Sequence, residues 1–156
     1  MASTSQRTVM TDPYNLDRFL QAQNSIFEQV LSELLRGRKT SHWMWFIFPQ
    51  MQGLGSSPTA VRFAIQSMAE AQAYLRHSTL GPRLMQCSQL VLDINGSGVD
   101  EIFGYPDNLK FHSSMTLFSA VAKPNEHPDQ SVFDRVLQKY FAGQPDKATL
   151  TLIQGN

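Results

Sequence analysis

Apolar residues recur at three- and four-residue steps through most of the chain, and that spacing predicts helices. From Asn15, a favourable N-cap residue, Leu16, Phe19, Leu20, Gln23, Phe27, Val30, Leu31 and Leu34 follow one stripe until Gly37 ends it. Ser41 is placed to cap a short second helix over Trp43 to Phe48, closed by Pro49, with a short strand as the alternative. Ser57 followed by Pro58 starts a third helix reaching Met68, and Ser67 with Glu70 forms a capping box for a fourth that ends near Arg76. A fifth runs from Leu80 to Ile94, where Asn95-Gly96-Ser97-Gly98 breaks it.

Beyond that turn, Val99 to Phe103 reads as a helical turn and Asp107 to Ala122 as one long segment. Pro124 and Pro128 mark Lys123 to Gln130 as a polar loop. Val132, Val136, Leu137, Tyr140 and Phe141 define a further helix, and Asp146 caps a last one ending at Leu152 and Ile153. The expectation is a mainly α, compact multihelical single domain of about seven short helices over residues 15–154, with sheet absent or marginal. Residues 1–14 are expected to form a loosely ordered tail.

Composition narrows the function classes. Of 156 residues, 42% are hydrophobic and 17% charged, which suits a packed domain rather than a disordered chain. Thirteen basic residues balance thirteen acidic ones, so no net field draws the chain to nucleic acid or to an anionic membrane. The longest apolar run, Trp43 to Phe48, is far too short to span a bilayer. A single cysteine, Cys87, sits in an apolar helical pattern, which fits a reducing, cytoplasmic setting. Gly53-Leu54-Gly55 lacks the third glycine of a dinucleotide fingerprint, and no Walker or serine-elbow pattern occurs. His42, His77, His112 and His127 stand too far apart for a metal site, so neither metal nor cofactor is expected.

Two segments carry candidate chemistry. In Ser41-His42-Trp43-Met44-Trp45-Phe46-Ile47-Phe48-Pro49-Gln50 apolar side chains point in every direction, so the segment is either a central core helix or the aromatic wall of a pocket. In Asp107 to Ala122 a helical projection puts Phe111, Met115, Phe118 and Ala122 on the core stripe, with Lys110 and Ser114 on a shared flank between Leu117 and Val121. Lys110 either lays its stem over apolar surface, pairs with Asp107 three residues before it, or faces an anion. Were Ser113 or Ser114 to cap the helix instead, the free N–H groups there would serve an anion as well. The basic cluster Arg36, Arg38 and Lys39 reads as a helix end meeting cations, with phosphate binding as the other reading.

At these residues the chain resembles a bacterial family catalogued as domain of unknown function 1810. The likeness rests on His42 to Gln50 with Gly53 and Leu54, on Leu80-Gly81-Pro82-Arg83-Leu84, on Ile102-Phe103-Gly104, and on Lys110 with Ser113 to Phe118. It implies a compact, mainly helical domain and assigns no activity. A fainter likeness, in size and helical character alone, is to bacterial helical enzymes that cleave N-glycosidic bonds in ribose-phosphate compounds.

The resulting expectation is a domain that binds, and by extension hydrolyses, a small anionic, ring-containing, nucleotide-like ligand. Trp43, Trp45, Gln50, Lys110, Ser113 and Ser114 would form the binding residues, and His42 is the candidate acid or base. The alternative is a helical protein-interaction module without catalytic activity.

Overall fold

A computed structural model of the chain describes residues 11–122 and 131–155. The expected polar loop 123–130 and most of the expected tail therefore lie outside the described residues. Within them are ten helices, more than the seven or so that the pattern suggests: α1 Asp17–Asn24, α2 Phe27–Leu35, α3 Met44–Ile47, α4 Pro58–Arg62, α5 Met68–Arg76, α6 Leu80–Leu92, α7 Val99–Phe103, α8 Asp107–Ala122, α9 Val132–Phe141 and α10 Lys147–Gln154. One isolated parallel bridge, Met51 with Ile65, is the only sheet-like pairing among the described residues. None of their helices is long and apolar enough to cross a membrane.

The extra helices come from breaks that periodicity does not report. The first stripe is interrupted at Ser25 and Ile26, where Asn24 and Ser25 offer local polar alternatives to the helical ladder and Ile26 leaves helical geometry with φ near −128°. Asn15 does not cap α1: it has φ 51°, and Asp12 instead accepts the backbone N–H groups of Leu16 and Asp17 at 2.8 and 2.9 Å. Ser41 does not cap α3 either, because its N–H and hydroxyl are taken by Glu33 and Gln29. The third helix stops at Arg62 rather than Met68, since Ile65 exchanges hydrogen bonds of 2.8 Å with the backbone of Gln50 and Gln52.

Where capping signals are unopposed, the helices begin as the sequence predicts. Ser57, Ser67 and Asp146 each accept the N–H group three residues on. The expected capping box is only half formed: Glu70 accepts the N–H of Gln66, one residue before the cap, rather than that of Ser67, and its second oxygen takes the guanidinium of Arg18 at 2.8 Å. The same guanidinium donates to the carbonyls of Tyr14, Asn15, Arg62 and Ala64, tying the start of α1 to the segment after α4.

Helix α8 is the centre of the molecule. It packs against α5, α7, α9 and α10 and touches α3. Phe111, Met115, Phe118 and Ala122 are buried as the helical projection requires, but so are Ser113, Ser114, Thr116 and Ser119 on its other sides. Aromatic rings radiate from it: Phe111 lies 4.5 Å from Phe103 and 4.9 Å from Phe48, Phe118 meets Tyr74 and Phe133, and Phe48 leads on to Trp43. Stacked, edge-on and tilted contacts of this kind add to the stabilisation each ring gains from the area it buries. Helix α9 also finishes the end of α6: Tyr140 donates to the carbonyl of Val91 and the Lys139 ammonium to those of Leu92 and Ile94.

Candidate functional site

The aromatic segment and the start of α8 do meet, and a third element completes the meeting point. Lys39, in the irregular stretch after α2, reaches Asp107 with an N···O distance of 2.6 Å, and Lys110 approaches the other carboxylate oxygen at 3.6 Å. The Lys39 ammonium lies 5.2 Å from the centre of the Trp43 ring and the Lys110 ammonium 5.0 Å from that of Trp45. Each cation therefore has a carboxylate on one side and the electron-rich face of an indole on the other. Two positive charges share one negative charge at this place, and the side chain of Lys110 is 23% exposed against 6% for Lys39.

Glu33 fixes the aromatic segment from beneath. Its side chain is fully buried, and Oε1 accepts N–H groups from Thr40, Ser41 and the Trp43 indole at 2.8, 3.0 and 2.9 Å, while Gln29 donates to Oε2. Burial alone would raise its pKa; the hydroxyl and N–H of Ser41, the N–H of Thr40 and the indole outweigh that and hold it far below the usual carboxylate range. The carboxylate is thus favoured over its protonated form, and its bonds order residues 40–43. A second buried polar cluster supports the other side: Gln23 donates to the carbonyl of Phe46 and to the Tyr74 hydroxyl, and accepts from Arg83.

The remaining residues singled out by the sequence do not join one cavity. Trp43 is sealed in the core and offers no face to solvent. Ser113 donates to the carbonyl of Leu109 and to Asp146, so its hydroxyl bridges α8 to the start of α10. Ser114 is fully buried with no hydrogen-bond partner, and neither serine caps α8, because both lie well inside it. His42 is exposed on the turn before α3. Gln50 shares with Trp45 a recess of about 10 Å³, too small for more than a water molecule.

Room lies instead on the other side of Lys39. A cleft of about 430 Å³ is lined there by Arg36, Arg38 and Lys39, with Asp100 and Glu101 across from them. Both carboxylates are engaged, Asp100 by the Asn108 amide and Glu101 by the N–H of Gly98. Arg36 spends one nitrogen on Ser32, one turn back in α2, rather than on the carbonyls at the helix end. Among the described residues, no group of three or more His, Cys, Asp or Glu is gathered as metal ligands would be.

The model of a family described as "Protein of unknown function (DUF1810)" matches residues 13–153. The chain belongs to this family. Among solved structures, the conserved hypothetical protein Rv1873 from Mycobacterium tuberculosis is similar to this DUF1810 chain, with 50% sequence identity and a TM-score of 0.87, covering 92% of this chain and 99% of that one. No curated protein matches.

Lys39 and Glu33 are the residues that periodicity misses. Lys39 is absorbed into a basic run that a helix end explains on its own. Glu33 leaves a clearer trace, since it is a carboxylate set between Val30 and Leu34 on an otherwise apolar stripe.

Proposed function

We propose that this DUF1810 protein binds a small anionic ligand carrying a flat ring, with nucleotide-like compounds as the class that fits best. The observation that carries the reading is the pairing of two lysine ammonium groups with a single carboxylate, each lysine backed by an indole. One positive charge is left in excess in a fixed position, partly withdrawn from water, where an anion gains more than it would on an open surface. A phosphate or carboxylate reaching Lys110 would complete the charge balance. The half-buried ring of Trp45 gives a flat ligand group a surface beside it, and the cleft at Lys39, Arg36 and Arg38 falls within the usual range of small-molecule pockets, about 300–1,000 Å³.

Binding is the part of this reading that the geometry favours over hydrolysis. Asp107 is held by two ammonium groups and is poorly suited to act as a free base. His42 stands exposed, with no hydrogen bond to orient it among the described residues, so its role as acid or base rests on the sequence alone. The buried, unpaired thiol of Cys87 supports a reducing location such as the cytoplasm.

Exposed Tyr105 and Leu109, four residues apart at the entry to α8, favour the alternative of a protein-interaction module. Titrating AMP and inorganic phosphate into ¹⁵N-labelled protein distinguishes the two. The ligand reading expects saturable shifts at residues 36–45 and 104–111 that Lys110→Met abolishes with little change in stability. It fails if neither anion shifts these resonances and Lys110→Met costs more than about 2 kcal/mol, the mark of a structural network.

A further inference from the structure

Helices α8 and α9 and the chain entering α10 enclose a cavity of about 470 Å³ that the anion site does not use. Its position is distinct, since Ser119 stands nine residues beyond Lys110 on α8, about 14 Å along the helix axis at 1.5 Å per residue. At the cavity, the nearly buried hydroxyl of Ser119 donates to Oδ1 of Asp134. Asp134 is the charged residue of the lining among the described residues, and no lysine or arginine there pairs with it. The neighbouring Thr116 hydroxyl is already committed, donating to the carbonyl of His112 and accepting the N–H of Asp146.

Among the described residues, Asp134 therefore keeps acceptor capacity that no other side chain fills. An ionised carboxylate has about four lone-pair sites, and one hydroxyl occupies one of them. The rest of the wall is mixed: Thr116 and Gln138 are polar, Leu137, Leu150, Pro145 and Ala120 give it an aliphatic side, and among the described residues no aromatic ring lines it. Gln138 lines it with its amide close over Gly143. A carboxylate oriented by a buried hydroxyl and sharing its cavity with an aliphatic side matches a positively charged group on a compact hydrocarbon body, because a charged donor strengthens the hydrogen bond and the hydrocarbon gains by leaving water.

We propose that this cavity is a second binding site, for a small organic ammonium compound with an aliphatic body. The ammonium donates to Asp134 and the body lies against Leu137 and Leu150. Its charge preference is opposite to that of the Lys39–Lys110 surface, so the two sites succeed or fail separately.

The test uses cyclohexylmethylammonium as the probe and neutral cyclohexylmethanol as its control, titrated into the full ¹⁵N-labelled chain. Saturable shifts are expected at residues 116–120, 134–138 and 143 with the ammonium, and the alcohol should bind about tenfold more weakly or worse, the loss of one charge-assisted hydrogen bond. Asp134→Asn should remove the preference for the ammonium. Ala120→Phe, which fills the cavity and leaves the carboxylate in place, should block both probes, and it serves as the deciding variant where Asp134→Asn weakens the start of α9. Absence of saturable shifts in the wild-type protein, equal binding of amine and alcohol, or undiminished amine binding by Ala120→Phe each overturns the proposal.

Discussion

The indole N–H of Trp43 donates to Oε1 of Glu33 at 2.9 Å, and this bond joins the aromatic segment to α2 across the turn that carries Lys39. Three donors converge on that one oxygen, the Trp43 indole fully buried and the N–H groups of Thr40 and Ser41 partly so. Replacing Glu33 by Ala strands them and is expected to cost about 2–4 kcal/mol in chemical denaturation.

The same contacts set a pH dependence. The Glu33 carboxyl is depressed below its ordinary value of 4.5, so the unfolded chain takes up the proton first on acidification. Its contribution is complete above that value and is lost progressively as pH falls below it. The stability gap between wild type and Glu33→Gln should therefore narrow on moving from neutral to strongly acidic solution; a gap that stays constant would show that the carboxylate charge is not what Trp43 reads.

The two tryptophans should behave differently. Trp43 is wholly buried and Trp45 half-buried. Trp43→Ala is expected to destabilise by about 3–5 kcal/mol, and Trp45→Ala by about half as much or less. Comparable costs in urea unfolding would contradict the placement of Trp45 at the surface.

Gly81, in the first turn of α6, has no space for a side chain. A methyl group there would lie 2.0 Å from the carbonyl oxygen of Leu75, which is backbone and cannot turn aside. Gly81→Ala should cost more than about 2 kcal/mol in the same assay. Gly96→Ala meets nothing within 4 Å and bears only the strain of φ +84°, so it should cost about 1 kcal/mol.

Asp107→Asn separates charge from packing at the anion surface. Removing the carboxylate leaves the nearly buried Lys39 ammonium without its partner, and stability should fall by about 1–3 kcal/mol. Affinity for AMP should rise at the same time, because two uncompensated ammonium groups then face the ligand. Unchanged or weaker binding, measured by calorimetry, would place the anion elsewhere.

Burial pushes the Cys87 thiol up to about 12, against a smaller opposing pull from Arg83. A disulfide reagent at pH 8 should then label it only through unfolding, so the labelling rate should follow the unfolded population as urea is raised. Rapid labelling of the native protein would show that the α6 face bearing Cys87 opens locally.

Local chemistry was legible in the sequence wherever a polar side chain had no competitor. Ser57, Ser67 and Asp146 cap the helices they precede. Asn15 and Ser41 do not, because carboxylates at Asp12 and Glu33 capture the groups involved, and those captures depend on how the chain folds back. Lys110 with Asp107 follows from three-residue spacing on one helix. Lys39 arrives at the same carboxylate from another part of the chain, which no local pattern encodes. Helix α8 shows the limit most plainly: buried nearly all round, it has no polar face to orient it, so Ser113, Ser114 and Ser119 read alike in sequence although one bridges to Asp146, one has no partner and one meets Asp134.

The hold of α9 on the end of α6 bears on how the molecule is made. A ribosome delivers Leu80 to Leu92 well before Lys139 and Tyr140, and until those side chains emerge the carbonyls of Leu92 and Ile94 lack the ammonium that caps them and that of Val91 has only its local backbone donors. The nascent chain thus carries α6 with its last turn less well fastened, beside an α8 whose buried serines and rings still lack α9 and α10 to cover them. Consolidation of α6 and α8 waits until α9 and α10 have emerged, so these four helices close together rather than in the order of their synthesis.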